Sequence, residues 1–208
     1  MTEDGFTVFL VDDDADVLKA LARLLRASGY DSREFASPEE FLREHDASMP
    51  GCAVFDVAMP DLDGLALQQA LAAKGIERPV IFLTGRGDIP TTVRAMKAGA
   101  VDFLTKPVDA DALLAAIDNA RERESRDREA RAEMDFFVAR LATLTPRERE
   151  VFGHVIAGRL NKHIAYALGT VEKTIKVHRS RMMEKMGVRS LAELVRRAER
   201  AGIEATPC

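Results

Sequence analysis

Three consecutive acids, Asp12, Asp13 and Asp14, follow directly on the apolar run Val8–Val11, and Asp56 closes a second run, Ala53–Phe55. If both runs are buried parallel strands, their terminal carboxylates meet at one edge of the sheet. Carboxylates crowded together repel unless a cation sits among them. Oxygen-only donors select a hard ion, Mg2+ first, with Mn2+ as an acceptable substitute. Lys106 and Thr84 follow or end two further apolar runs, so they add a positive charge and a hydroxyl at the same edge. An Asp nucleophile, a divalent ion and a Lys are what phosphoryl transfer needs. The ion and the Lys neutralise the phosphoryl oxygens while the carboxylate attacks. Taken singly, Asp14 or Asp16 reads better as a solvated loop residue or a helix cap. It is the convergence of Asp12, Asp13, Asp56, Thr84 and Lys106 that carries the chemistry.

A second group of residues points to a polyanion. Around Ile175 a helical wheel puts Val171, His178, Met182 and Met186 on one side, the side of a core. Lys173, Val177 and Ser180 fall opposite, flanked by Lys176 and Arg181. Lys and Arg bind phosphates or guanine, and Val177 suits a thymine methyl. His178, on the inner side, is read as packing or a backbone contact.

These residues need a scaffold. Strands are expected at 7–11, 31–35, 51–55, 79–83 and 101–104, with helices at 15–27, 38–45, 64–73, 89–98 and 110–120. Five strands alternating with five helices imply an α/β fold with a doubly wound, flavodoxin-like parallel sheet, whose sites lie outside the C-terminal strand ends. Val17, Leu18, Leu21, Leu24 and Leu25 mark the buried stripe of the first helix. The stretch 121–133, RERESRDREARAE, is solvated and continues the fifth helix as a linker. Beyond it the chain is all helical, with four helices at 146–157, 162–168, 171–186 and 191–201. Thr145, Pro146 and Glu148 form a capping-box start. A short helix, a turn at Gly169-Thr170 and a longer basic helix form a helix-turn-helix pattern.

The charge is divided the same way. Residues 1–120 carry 21 acidic against 11 basic side chains, and residues 144–208 carry 13 basic against 7 acidic. The front suits a metal cation and the back a polyanion. No apolar run reaches bilayer length and no signal peptide is evident, so a cytoplasmic protein with no membrane partner is expected. Cys52 and Cys208 fit no metal-ligand spacing and read as free thiols. No GxxxxGK[ST] loop is present, which weighs against a nucleotide-using phosphotransferase. An adaptor that has lost DNA binding is the third reading, and the basic face of residues 173–181 weighs against it.

The runs VDDD, FDVAMPDLDG, FLTGRGD and AMKAGAVDFLTKP resemble the receiver domain of two-component response regulators, over about residues 6–122. The run from LTPRERE to SLAELV resembles the LuxR-type DNA-binding domain, over about residues 141–201. The whole chain is similar to the FixJ/NarL family, nearest the FixJ branch. The organisation expected is a receiver at 1–122, a charged helical linker at 123–138 and a smaller all-α four-helix domain at 139–208. The resemblance implies that Asp56 is the phosphoacceptor, supplied by a sensor histidine kinase. It implies Mg2+ on Asp13, Asp12, Asp56 and the Ala58 carbonyl. Lys106 would pair with the phosphoryl group and precede a cis proline. Thr84 and Phe103 would be the switch pair, Phe103 lacking the hydroxyl of the Tyr found in many receivers. Self-phosphorylation and autodephosphorylation would be its only catalysis. Asn161 and Lys162 would touch phosphates, and Lys173, Thr174, Lys176, Val177, Arg179, Ser180 and Arg181 would face double-stranded DNA. Some relatives have a basic residue where Ser180 stands, so one groove contact is lost or altered. Phosphorylation would promote a homodimer through residues 89–120, where Arg94, Lys97, Asp102 and Asp118 could cross-pair. RNA polymerase is a further partner this implies.

Overall fold

The computed structural model describes residues 5–85 and 89–206. Arg86–Asp88 of the FLTGRGD run, and Cys208, lie outside the described residues. The chain divides into two compact units, residues 1–127 and 128–208.

The first unit alternates strand and helix: β1 (Thr7–Val11), α1 (Ala15–Ala27), β2 (Asp31–Phe35), α2 (Pro38–Glu44), β3 (Gly51–Asp56), α3 (Gly64–Ala73), β4 (Val80–Thr84), α4 (Ile89–Lys97), β5 (Asp102–Thr105) and α5 (Ala110–Ala142). The five strands are parallel in the order β2-β1-β3-β4-β5. This is the expected doubly wound order, and it reverses direction between β1 and β3. Every residue of β1, β3 and β4 is buried, as strands covered on both faces must be.

Alternation sends Val8, Leu10, Val54, Ile81 and Leu83 into one core with Leu18, Leu21 and Leu25 of α1 and Leu113 and Ile117 of α5. It sends Phe9, Val11, Phe55 and Phe82 into the other, with Phe41 of α2 and Leu67 and Leu71 of α3. Each such side chain contributes roughly 1.5–3 kcal/mol by burial. Val17 and Leu24, expected in the α1 stripe, pack only partly buried at its margin. Two strands sit one residue later than expected. β4 includes Thr84, and β5 begins at Asp102, because Val80 and Asp102 are the first residues to enter the ladder.

α5 runs on from the expected fifth helix to Ala142, so the mixed-charge stretch is helical as read. The second unit contains α6 (Pro146–Ile156), α7 (Asn161–Ala167), α8 (Glu172–Met186) and α9 (Leu191–Arg200). Its core joins Phe137 to Val151, Phe152, Val155, Ile164, Ile175, Met182, Met186 and Leu194. Gly187 ends α8 in the left-handed region at φ 63°, where a residue with a β-carbon is strained.

The capping box of α6 forms as expected. The Thr145 hydroxyl accepts from the Glu148 N–H, and the Glu148 carboxylate accepts from the Thr145 N–H at 2.9 Å. The same carboxylate, 4% exposed, takes Lys185 Nζ at 2.6 Å. These bonds, Lys185 first, hold the Glu148 pKa down to about 2. A depressed carboxylate pKa adds stability that is complete above the unfolded value of about 4.3 and is lost as pH falls toward the folded one. Glu148→Gln is therefore expected to cost about 1–2 kcal/mol at pH 7 and lower the melting temperature of this unit by roughly 4–16 °C. The deficit should shrink between pH 4.5 and 2. Melting curves of the full chain at pH 7 and pH 3 decide it, and an equal deficit at both would exclude the ion pair as the cause.

Candidate functional site

The C-terminal ends of β1 and β3 lie on either side of the point where strand order reverses, and Asp12 and Asp56 sit there. Both are buried, at 2% and 5% exposure. Each carboxylate is fixed by the backbone that follows it. Asp12 Oδ1 accepts from the Asp14 N–H and Asp56 Oδ2 from the Ala58 N–H, both at 2.9 Å. Their remaining oxygens meet one ammonium: Lys106 Nζ lies 2.6 Å from Asp12 Oδ2 and 2.7 Å from Asp56 Oδ1. Lys106 follows directly on the end of β5, and the Lys106–Pro107 bond after it is cis as expected.

Burial raises the Asp12 pKa, against the hydrogen bonds from Lys106 and Asp14. Burial alone would pull Lys106 down, but its bonds to Asp12 and Asp56, and their charges, outweigh it and the net direction is up. One cation thus already neutralises part of a two-carboxylate edge.

The neighbours fit this edge. Gly64, at the start of α3, leaves room that a β-carbon would fill by running into the Asp56 carbonyl oxygen. Thr84 is buried at the end of β4, and its carbonyl accepts from the Lys106 N–H at 2.7 Å. Phe103 is half-buried, its ring 6.3 Å from that of Phe82. Asp13 is exposed, and Asp14 caps α1 through the N–H groups of Asp16 and Val17. Among the described residues, no three His, Cys, Asp or Glu side chains converge as a ready metal cage. The two buried carboxylates still suit Mg2+, which binds through one or two carboxylates and keeps much of its water.

The basic face lies on α8. Ile175, Met182 and Met186 are buried, and Lys173, Lys176, Val177, Ser180 and Arg181 are exposed, as the wheel required. Thr174 and His178 are half-buried. Val171 departs from expectation: it is 64% exposed. It is the N-cap residue, extended at φ −97° and ψ 150°, and so lies outside the helical periodicity that placed it in the core. Lys176 pairs with Glu172 at 3.2 Å. Arg179 Nη1 donates to Asn161 Oδ1 at 3.1 Å. Lys162 is exposed at the start of α7.

Two clusters among the described residues carried no sequence signal. Tyr30 donates to Asp118, and burial followed by that bond pushes the Tyr30 pKa to about 12. Asp118, considered above for cross-pairing, thus has a partner in its own chain, and Asp102 accepts from the Phe103 N–H at 2.8 Å. Arg78 lies over the Phe9 ring at 4.4 Å and donates to His45 Nε2 at 2.7 Å. Burial, then the Arg78 charge, lowers His45 to about 4. Cys52 is the free thiol expected from the sequence, and it is fully buried.

Comparison with known proteins agrees with this division. Residues 8–118 match the response regulator receiver domain, and residues 142–198 match the bacterial regulatory proteins of the luxR family. Nodulation protein W of Bradyrhizobium diazoefficiens is 44% identical over 198 residues, covering 95% of this chain and 87% of that protein. The transcriptional regulatory protein FixJ of the same organism is 41% identical, covering 98% of each chain. The solved response regulator StyR superposes with a TM-score of 0.79 at 43% identity, covering 94% of this chain and 99% of that one. With two domains matched in this order and relatives that span almost the whole chain, the protein belongs to the transcriptional response regulators that join a receiver domain to a LuxR-type DNA-binding domain.

Proposed function

We propose that Asp56 accepts a phosphoryl group from a sensor histidine kinase and that the aspartyl phosphate licenses sequence-specific DNA binding by α8. The observation that carries this reading is the Lys106 ammonium bridging Asp12 and Asp56 at the switch point of the sheet. An Asp56 oxygen attacks the phosphorus, and the bond from phosphorus to the kinase imidazole nitrogen breaks. The imidazole leaves with the electron pair and takes up a proton. Asp12, Asp13, Asp56 and the Ala58 carbonyl would hold Mg2+, which when bound offsets charge on the phosphoryl oxygens. Lys106 exchanges its contact with the Asp56 carboxylate for the new phosphoryl oxygens. Hydrolysis of the same acyl phosphate resets the protein, and these two self-directed steps are its only chemistry.

The added phosphoryl group brings nearly two negative charges and three acceptors. The Thr84 hydroxyl turns toward one of them, and the half-buried Phe103 rotates inward with it. The exposed stripe Ile89, Val93 and Met96 on α4 supports pairing of two phosphorylated copies through this region. Such a homodimer would present two α8 helices to a two-fold-related DNA site. RNA polymerase would then be recruited or obstructed. Among the described residues no helix is long and apolar enough to cross a membrane, which is compatible with action in the cytoplasm.

Selection from random duplexes by the full chain, with and without beryllofluoride plus Mg2+, tests the reading. A two-fold-symmetric site enriched only with beryllofluoride is expected. Equal enrichment without it would remove phosphorylation as the gate, and none in either condition would leave an adaptor.

A further inference from the structure

Arg179 does not share the groove face of α8. At 100° per residue it lies about 40° from the buried Ile175, whereas Lys173, Val177 and Ser180 lie about 140–200° away. Its flank faces the start of α7, where Asn161, half-buried like Arg179, accepts its Nη1 at 3.1 Å across 18 residues of chain. Leu160, Asn161, Lys162, Glu172 and Arg179 line one open cleft there. Glu172 is already engaged by Lys176 at 3.2 Å, so Lys162 and Arg179 set the sign of the cleft. An arginine has five N–H donors in a fixed fork, and the bond to Asn161 occupies one.

We infer that Asn161 is a positioning residue whose side-chain carbonyl aims the Arg179 guanidinium at a backbone phosphate of bound DNA, making Arg179 a contact to the DNA backbone and not to a base edge. The inference rests on α8 being the DNA-reading helix. The bond also sets the Asn161 amide, with Oδ1 toward Arg179 and Nδ2 turned away. It ties the two helices of the pair at the end where the duplex must enter. Asn161 was expected to touch phosphate itself. The geometry gives it a role through Arg179.

The test is binding of the full chain, activated with beryllofluoride and Mg2+, to its selected duplex and to a scrambled one from 50 to 200 mM salt. Arg179→Ala is expected to weaken both duplexes alike, about tenfold, and to flatten the slope of log K against log salt by about 0.9. Asn161→Ala should weaken binding about threefold, and the double variant should bind no worse than Arg179→Ala alone. Multiplied losses in the double variant, or a loss on Arg179→Ala confined to one base position, overturn the inference. Melting curves check folding. The milder pair Arg179→Lys and Asn161→Ser must show the same non-additivity if an alanine variant unfolds. If Lys176→Glu binds the selected duplex as tightly as the unmodified chain, the reading of α8 falls and takes the inference with it. If Lys176→Glu is defective while the Asn161 and Arg179 losses multiply, only the inference falls.

Discussion

Asp56→Asn is expected to take up no phosphoryl group from acetyl phosphate in Mg2+, a loss of at least about 100-fold in labelling rate, because a neutral amide is not a nucleophile toward phosphorus. The exchange is nearly isosteric. An amide oxygen can still accept from the Ala58 N–H; the amide Nδ2 then replaces the oxygen that took Lys106 at 2.7 Å, and Lys106 keeps its bond to Asp12 at 2.6 Å. The buried edge also loses one of two repelling carboxylates, so the receiver should melt within a few degrees of the unmodified chain. Chemistry is thereby separated from folding. In the selection experiment the variant should enrich no site when acetyl phosphate is the activator. Intact-mass measurement after incubation with the donor reads the first effect. Persistent labelling near one phosphoryl per chain would place the acceptor elsewhere at the edge, on Asp12 or the exposed Asp13.

The sheet edge was legible in the sequence because strands report themselves twice. Apolar runs give their length, and the first polar residue gives the end where a side chain emerges. Asp12, Asp56 and Thr84 were found that way, and each occupies the C-terminal edge. Helix caps were legible for a similar local reason: Thr145 and Glu148 make the predicted reciprocal bonds. What stayed hidden are pairings set by the angle at which two elements meet. Nothing in the spacing of Glu148 and Lys185, or of Tyr30 and Asp118, encodes that α6 meets α8 or that the turn after α1 meets α5. Only a helical wheel was available for α8, and it failed at Val171, where the helix had not yet begun. For Arg179 the wheel gave an angle but could not supply the acceptor on α7 that gives this angle meaning. Lys106 lies between these cases. Its reach to the edge was expected, but its bridging of Asp12 and Asp56 follows from how closely the backbone of β1, β3 and β5 brings three side chains.

Lys176→Glu should abolish recognition of the selected site, weakening it at least about 100-fold at 0.1 M salt. Three effects act together. A cation at the edge of the groove face is lost, and with it the release of about one counterion. A carboxylate is placed where the duplex is most negative. The new acid also stands one turn from Glu172, so the pair now at 3.2 Å becomes a repulsion, costing the helix a few tenths of a kcal/mol. The last effect is too small to unfold α8, whose inner face is anchored by Ile175, Met182 and Met186. The side chain is 65% exposed, so the core does not register the change. Lys176→Gln separates the causes: it removes the contact without adding repulsion, and should weaken binding only about tenfold, with the salt slope flattened by about 0.9. Fluorescence anisotropy on the selected duplex measures both variants. If Lys176→Glu and Lys176→Gln fall equally, repulsion contributes nothing and the loss is that of the Lys176 contact alone.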